Sequence, residues 1–504
     1  MIMDRRTFIS AAASLITTTG LPGRLAAQTP IGKQAEFLNA LQEKPWLLGY
    51  LGTREEELHA SVSVTSGRMP PNLEGHLFRN GPAWHNVGPD RFSHWFDAPD
   101  MVQRFSFENG RLAHFGKLVK TSRNAAEAQA GHIQFAGFGT SGPHLGTGGS
   151  ADGQNTANIS LLNHAGELLA LWEGGSPHII NRETLDTEGR KSWSDESGGL
   201  PFGAHPREDE DGSIWNIGYS ANPAALIIYH ISSEGALYNT HVIPQSATPM
   251  VHDFMITRSK IVIVMPPYVA SSGDGDSIVE LFEWKGQNPT QLLVIDKNDL
   301  SQVTTLEMDP FWVFHFGNAY DISPTEIGFD FALHDDPGFM TKDAFAVMDG
   351  SWDGAASVKS RYVEARIDLI RKTTCLQESP EFGQVEFIQT DARENLSAHR
   401  YALMLAQPGG ASEFGFNRRV LVDRTTGNAS SFDADEAEIL EEHLIVPKPG
   451  HLDGFWIIGT SLDWRQGITN LSVYEGLHLN DGPVFKAALD LALPLGLHGT
   501  FVRA

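Results

Sequence analysis

Pro310-Phe-Trp-Val-Phe-His-Phe-Gly-Asn-Ala-Tyr-Asp321 is the stretch whose reading decides the fold. Phe311, Trp312, Val313, Phe314 and Phe316 are aromatic or β-branched, and charge stands only at the two ends, so the pattern predicts a buried strand. His315 lies in its middle. A histidine among aromatics must satisfy two ring nitrogens in a nearly dry place, or its burial costs a few kcal/mol. Two readings are open from this stretch alone. One is a core histidine hydrogen-bonded to backbone; the other is a neutral imidazole binding a metal, which needs partners elsewhere in the chain.

Outward from this strand the pattern is short strands between turn signals. Ile214–Tyr219, Lys260–Met265, Ile278–Trp284, Leu292–Ile295 and Phe455–Thr460 are examples, punctuated by 50 Gly and 27 Pro. Helical spacing of Phe37, Leu38 and Leu41 predicts one helix over about 33–48, ending near Pro45. Many short strands at regular intervals predict an all-β sandwich array, barrel or propeller. No Pro/Ser-rich linker divides the chain after its leader, so one body over 28–504 is expected. Asn428–Glu442, with Asp433, Asp435, Glu436 and Glu438, is expected as a solvated loop or short helix.

Lys+Arg number 37 against 62 Asp+Glu, a net charge of −25. Such a surface repels phosphate backbones and anionic headgroups, which argues against a nucleic-acid partner and for a neutral or apolar one. Cys375 is the sole cysteine, so neither an intramolecular disulfide nor a thiolate cage for zinc or iron–sulfur can form. Any metal ligands must come from the 20 His and the carboxylates. At the N-terminus, Arg5-Arg6-Thr7-Phe8, an apolar run over 11–21 and Leu25-Ala-Ala27 read as a twin-arginine-type signal peptide over 1–27, hence an exported, periplasmic protein. Contact with a membrane surface stays open, because no basic amphipathic helix announces one. The oligomeric state is not legible.

His205, His252, His315 and His498 share short apolar or small-residue settings. Their separations of 47, 63 and 183 exclude a local helical pair. Only a closed, radial fold brings four such residues together, each from a different blade.

Over residues 45–504 the chain resembles the carotenoid cleavage oxygenases, in their bacterial apocarotenoid-oxygenase branch. The resemblance rests on Pro71-Asn-Leu-Glu-Gly-His-Leu-Phe-Arg-Asn-Gly-Pro82, His94-Trp-Phe-Asp97 and Leu168–Glu173 followed by Gly174-Gly-Ser-Pro-His178. Ala204-His-Pro-Arg, Val251-His-Asp-Phe, Val313-Phe-His-Phe-Gly-Asn-Ala and Leu497-His-Gly follow in family order. It implies a seven-bladed β-propeller with a loop and short-helix cap and one Fe(II) on its axis, held by His205, His252, His315 and His498. It also implies that Glu173, Glu386 and Glu442 orient three of those ligands, with Glu441 leaving the last register open by one. A carboxylate accepting the Nδ1–H would fix the tautomer and free Nε2 for the metal.

The implied activity is oxidative cleavage of a C=C bond of a carotenoid or apocarotenoid with O₂, giving two carbonyls. The alkene supplies all four electrons, which agrees with the lack of a Gly-x-Gly-x-x-Gly nucleotide fingerprint. Redox-inert zinc would not serve. Phe254, Phe314, Phe316 and Phe501 are candidates for lining a substrate tunnel, or plain core. Two departures stand out: Ala98-Pro99 replace glycines of the family turn, and His315 is followed by Phe316-Gly317 where relatives have His-Ala. Three alternatives remain open: cleavage of a stilbene or phenylpropenoid, a non-oxidative isomerohydrolase, and a metal-free binding propeller. Phe92-Ser-His94 and Thr121-Ser-Arg123 stand where stilbene-cleaving relatives carry a tyrosine and a lysine, which favours the carotenoid reading.

Overall fold

Residues Trp312–Ser323 form the strand expected from their composition. It is the edge strand of a four-stranded antiparallel sheet that continues through Glu326–His334, Ser360–Asp368 and Thr373–Ser379. A computed structural model describes residues 32–142, 151–194, 197–271, 275–354, 358–407 and 415–504. The signal-peptide reading of 1–27 lies outside them.

Six further sheets repeat the pattern, giving a seven-bladed β-propeller. Their corresponding edge strands are His498–Arg503, Ser160–His164, Arg207–Glu208, Met255–Ile256, Gln384–Thr390 and Glu438–Pro447. At five of the seven junctions the inner edge strands of neighbouring blades touch one another, and they surround the axis. The ring is sewn shut twice. His498–Arg503 is the inner strand of the blade that contains Gly75–Asn80, and Val62–Gly67 is the outer strand of the blade that begins at Glu438. Closure leaves no blade without two neighbours, and apolar layers fill the gaps between them. One such layer packs Val262 and Leu292 of the fourth blade against Phe316, Phe331 and Val363 of the fifth.

A cap of short helices sits over one face. Gly32–Glu43 is an α-helix burying Phe37 and Leu41, and Pro45 opens a separate 3₁₀ turn to Tyr50. The sequence-based helix over 33–48 therefore breaks at proline, whose ring blocks continuation. Segments Trp95–Asp97 and Phe339–Asp349 complete the cap's core.

Two expectations fail. Asn428–Glu442 is largely strand: Asn428–Asp433 is an outer strand, Glu438–Pro447 is the inner strand of the seventh blade, and only residues 434–437 between them form a turn. Glu438 pairs inside with Lys486 and Ser461, and Glu441 with Arg79, while Asp433, Asp435 and Glu436 are exposed as a solvated stretch would have them. Of Ile278–Trp284 only Phe282–Trp284 is extended, because Val279–Leu281 turn as a 3₁₀ segment.

Blades five and six are joined by a buried polar knot. The Asp330 carboxylate lies 3.2 Å from His399 Nε2 and accepts the Asn318 N–H at 3.1 Å and the Tyr362 hydroxyl at 3.1 Å. Burial pushes the Asp330 pKa up, but His399 and Arg424 override it and hold the group at about 2. Its ordinary value is near 4, so the ionised form adds roughly 2 kcal/mol of stability above pH 4, lost as pH falls towards 2. Asp330→Asn is expected to cost roughly 3–5 kcal/mol at neutral pH. It should also flatten the loss of stability between pH 4 and 2, read from urea midpoints across that range.

Candidate metal centre

Three inner strands share one irregularity. Each gains an extra residue against its partner: between Val313 and Phe316, between Glu386 and Gln389, and between Leu440 and His443. A β-bulge re-aims side chains that strict alternation would send to a blade face. His315, Glu386, Glu441 and Glu442 all lie in or beside these bulges. Phe387 reaches φ 55°, a left-handed conformation uncommon for a non-glycine residue. His205 and His252 come instead from the segments that lead into inner strands Arg207–Glu208 and Met255–Ile256, and His498 opens the last strand.

The fold brings the four histidines together. One ring nitrogen from each lies within 4.8 Å of all the others. His252 Nε2 is 3.1 Å from His205 Nε2 and 3.2 Å from His315 Nε2. The carboxylates explain what these contacts are. Glu173 accepts from His252 Nδ1, Glu386 accepts from His315 Nδ1 at 2.5 Å, and Glu442 accepts from His498 Nδ1 at 3.0 Å. With the proton on Nδ1, each Nε2 carries a lone pair. Facing lone pairs repel, and a cation between them removes that cost. Two nitrogens each roughly 2.1 Å from one ion at right angles lie roughly 3 Å apart, so the spacing fits a shared metal.

Each carboxylate is held by a second donor. The Tyr219 hydroxyl donates to Glu173 at 2.7 Å, His334 Nε2 to Glu386 at 2.9 Å, and Gln389 and the Gly499 N–H to Glu442 at 3.0 and 2.8 Å. The register left open in the sequence resolves to Glu442, since Glu441 turns to Arg79, Thr460 and the Gly496 N–H. Burial would raise the Glu386 and Glu442 pKa values, but the histidines beside them hold both below the usual carboxylate range. Burial lowers His205 and His315 below the ordinary imidazole value. Burial also opposes charge on His252, yet Glu173 lifts it above that value. His205 has no carboxylate partner among the described residues.

Two cavities meet at the centre. A cavity of about 290 Å³ on the cap side reaches His252, His315 and His498 and is walled by residues such as Trp95, Phe96, Trp312, Phe314 and Phe339. A polar cavity of about 300 Å³ reaches His205, His315 and His498 from the other side, past Arg207, Asp253 and Asn318. Phe387 borders both and stacks on His315 with centroids 5.5 Å apart. Of the four aromatics considered from sequence, Phe314 lines the apolar cavity. Phe254, Phe501 and Phe316 pack in interblade layers, and Phe316 also touches the polar cavity. The altered Phe96-Asp97-Ala98-Pro99-Asp100 turn is rebuilt on its carboxylates. Asp97 accepts from Gly139 N and Thr140, and buried Asp100 accepts from Gly81 N at 2.8 Å.

Residues 52–503 match the family described as retinal pigment epithelial membrane protein. The chain belongs to this family, the carotenoid cleavage oxygenases. It is 28% identical over 485 residues to the apocarotenoid-15,15'-oxygenase of Synechocystis, covering 91% of this chain and 96% of that one. It is 25% identical over 483 residues to isoeugenol monooxygenase of Pseudomonas nitroreducens, covering 91% and 98%. Among solved structures, cobalt-substituted Synechocystis apocarotenoid oxygenase superposes with a TM-score of 0.81 at 23% identity, covering 92% of this chain and 99% of that one. The family's ordered motifs pointed to the histidines and glutamates; Tyr219, His334, Gln389 and Phe387 had no such signal, because their roles depend on blade-to-blade register.

Two substitutions separate the neighbouring glutamates. Glu442→Gln is expected to weaken metal affinity by roughly 10–100-fold with the fold retained. Glu441→Gln, which strands Arg79, should lower thermal stability without moving metal affinity. Competition with a chelator and a thermal melt on both variants check this.

Proposed function

We propose that the protein is a non-haem Fe(II)-dependent dioxygenase, one iron per chain, that cleaves a C=C bond of a carotenoid or apocarotenoid with O₂ into two carbonyl products. The observation that carries this reading is the convergence of four histidine nitrogens, three backed by carboxylates, at the end of an apolar cavity. His205, His252, His315 and His498 would hold the iron, whose part is to bring O₂ into reaction with the alkene. Four neutral ligands leave the ion its full charge, and imidazole suits iron.

The remaining work belongs to the chain's own residues. Glu173, Glu386 and Glu442 keep the protons on Nδ1. The aromatic wall excludes water and holds a rod-like apolar substrate, which makes positioning the protein's main contribution to selectivity. Phe92 and Arg123, at the positions relevant to phenol-gripping relatives, point to other duties. Arg123 pairs with Glu127 at 3.3 Å and lies over the Phe92 ring, and neither residue borders the apolar cavity. The similarity to isoeugenol monooxygenase nevertheless keeps a phenylpropenoid or stilbene as the second substrate reading. A periplasmic location belongs to the proposal through Arg5-Arg6-Thr7-Phe8.

Protein loaded with Fe(II) and given a carotenoid and phenylpropenoid panel under ¹⁸O₂ is expected to yield carbonyl products, each carrying one labelled oxygen when trapped promptly by reduction. Turnover without O₂ would move the assignment to an isomerohydrolase, and lack of stoichiometric iron to a binding propeller. His252→Ala is expected to abolish iron retention while the far-ultraviolet β signal persists; unchanged iron content would remove His252 from the centre.

A further inference from the structure

One side chain in the apolar cavity has a second ring nitrogen with no place in the scheme above. His334 ends the second strand of the fifth blade, paired with Trp312 on one side and Ser360 on the other. Its ring lines the cavity beside Phe339 and Met340 and meets the Phe314 ring edge-on at 5.3 Å. Nε2–H is committed: it donates at 2.9 Å to Glu386, whose other oxygen accepts from His315. One Glu386 oxygen accepts from His315 Nδ1 and the Phe387 N–H while the other faces His334 Nε2, and a carboxylate oxygen there can only accept, which fixes the His334 tautomer. In the neutral ring Nδ1 then carries a lone pair. It has no hydrogen bond among the described residues, yet it is not sealed inside the protein, so it keeps access to the cavity that its ring lines.

An acceptor facing an apolar wall is costly unless the bound molecule brings a donor. Resting on the oxygenase reading of this cavity, we propose that His334 Nδ1 accepts a hydrogen bond from a substrate hydroxyl, so that the preferred substrate is an alcohol or phenol and not a plain hydrocarbon. The rigid link His334–Glu386–His315 then sets the hydroxyl, and with it the double bond, at a fixed place relative to the centre. His334 is a specificity-determining residue in this assignment. The hydroxyl could belong to a hydroxylated apocarotenoid ring or to a phenylpropenoid, and both present the same O–H.

The test uses two matched pairs, a 4-hydroxyphenylpropenoid with its methyl ether and a hydroxylated apocarotenoid with its methyl ether. For each pair, kcat/KM is measured on Fe(II)-loaded protein, and equilibrium binding is measured without O₂ by tryptophan quenching. The free hydroxyl is expected to win by about tenfold or more in at least one pair, which also tells the two sources apart. His334→Leu should bring that ratio close to one, and His334→Gln, which keeps a donor for Glu386 and an acceptor for the ligand, should restore part of it. Because each ratio is taken within one preparation, partial iron loss in a variant does not change it. A wild-type ratio near one in both pairs, or a ratio that survives His334→Leu, overturns the assignment. Hydroxyl-selective binding without cleavage upholds His334 while the oxygenase reading fails.

Discussion

Four imidazole nitrogens turned towards one another inside a protein form an arrangement that is unfavourable without a positive charge among them. Everything else in this propeller can be traced to holding it. The nitrogens come from four of the seven blades, at sequence positions 47, 63 and 183 residues apart, so they converge only if the ring closes with each inner strand at its proper height. Three carboxylates, two of them buried, prevent the alternative tautomer, and each is itself tied by a further donor. Glu386 and Glu442 are held below the usual carboxylate range in this dry setting because the histidines and backbone N–H groups supply the solvation that water would otherwise give.

The repeated bulge connects chain geometry to that requirement. A strand with period two can present a side chain to one face or the other, but the axis lies along the edge. One extra residue in each of the fifth, sixth and seventh inner strands turns His315, Glu386 and Glu442 to the edge. Three adjacent blades thus use the same local irregularity to build one continuous row of ligands and supports.

Much of this was legible in the sequence. Phe311–Phe316 announced a buried strand by composition, and the ordered histidine and glutamate motifs announced a radial fold. The bulges were invisible, since an apolar run such as Trp312–Phe316 reads the same with or without an extra residue. The Asn428–Glu442 stretch was misread for a related reason. All its carboxylates look solvated by composition, and only the fold shows that Lys486, Arg79 and His498 meet Glu438, Glu441 and Glu442 inside. His334 gave no signal because its neighbour Glu386 lies 52 residues away on another blade.

The double seam has a consequence for how such a protein comes into being. Gly75–Asn80 pairs with His498–Arg503 across more than four hundred residues of chain, and loop-closure entropy makes so distant a contact late and slow to form. That same pairing positions His498. An ion gripped from four blades would therefore make its own capture and the locking of the ring one event, a clasp whose binding energy resists the ring's reopening.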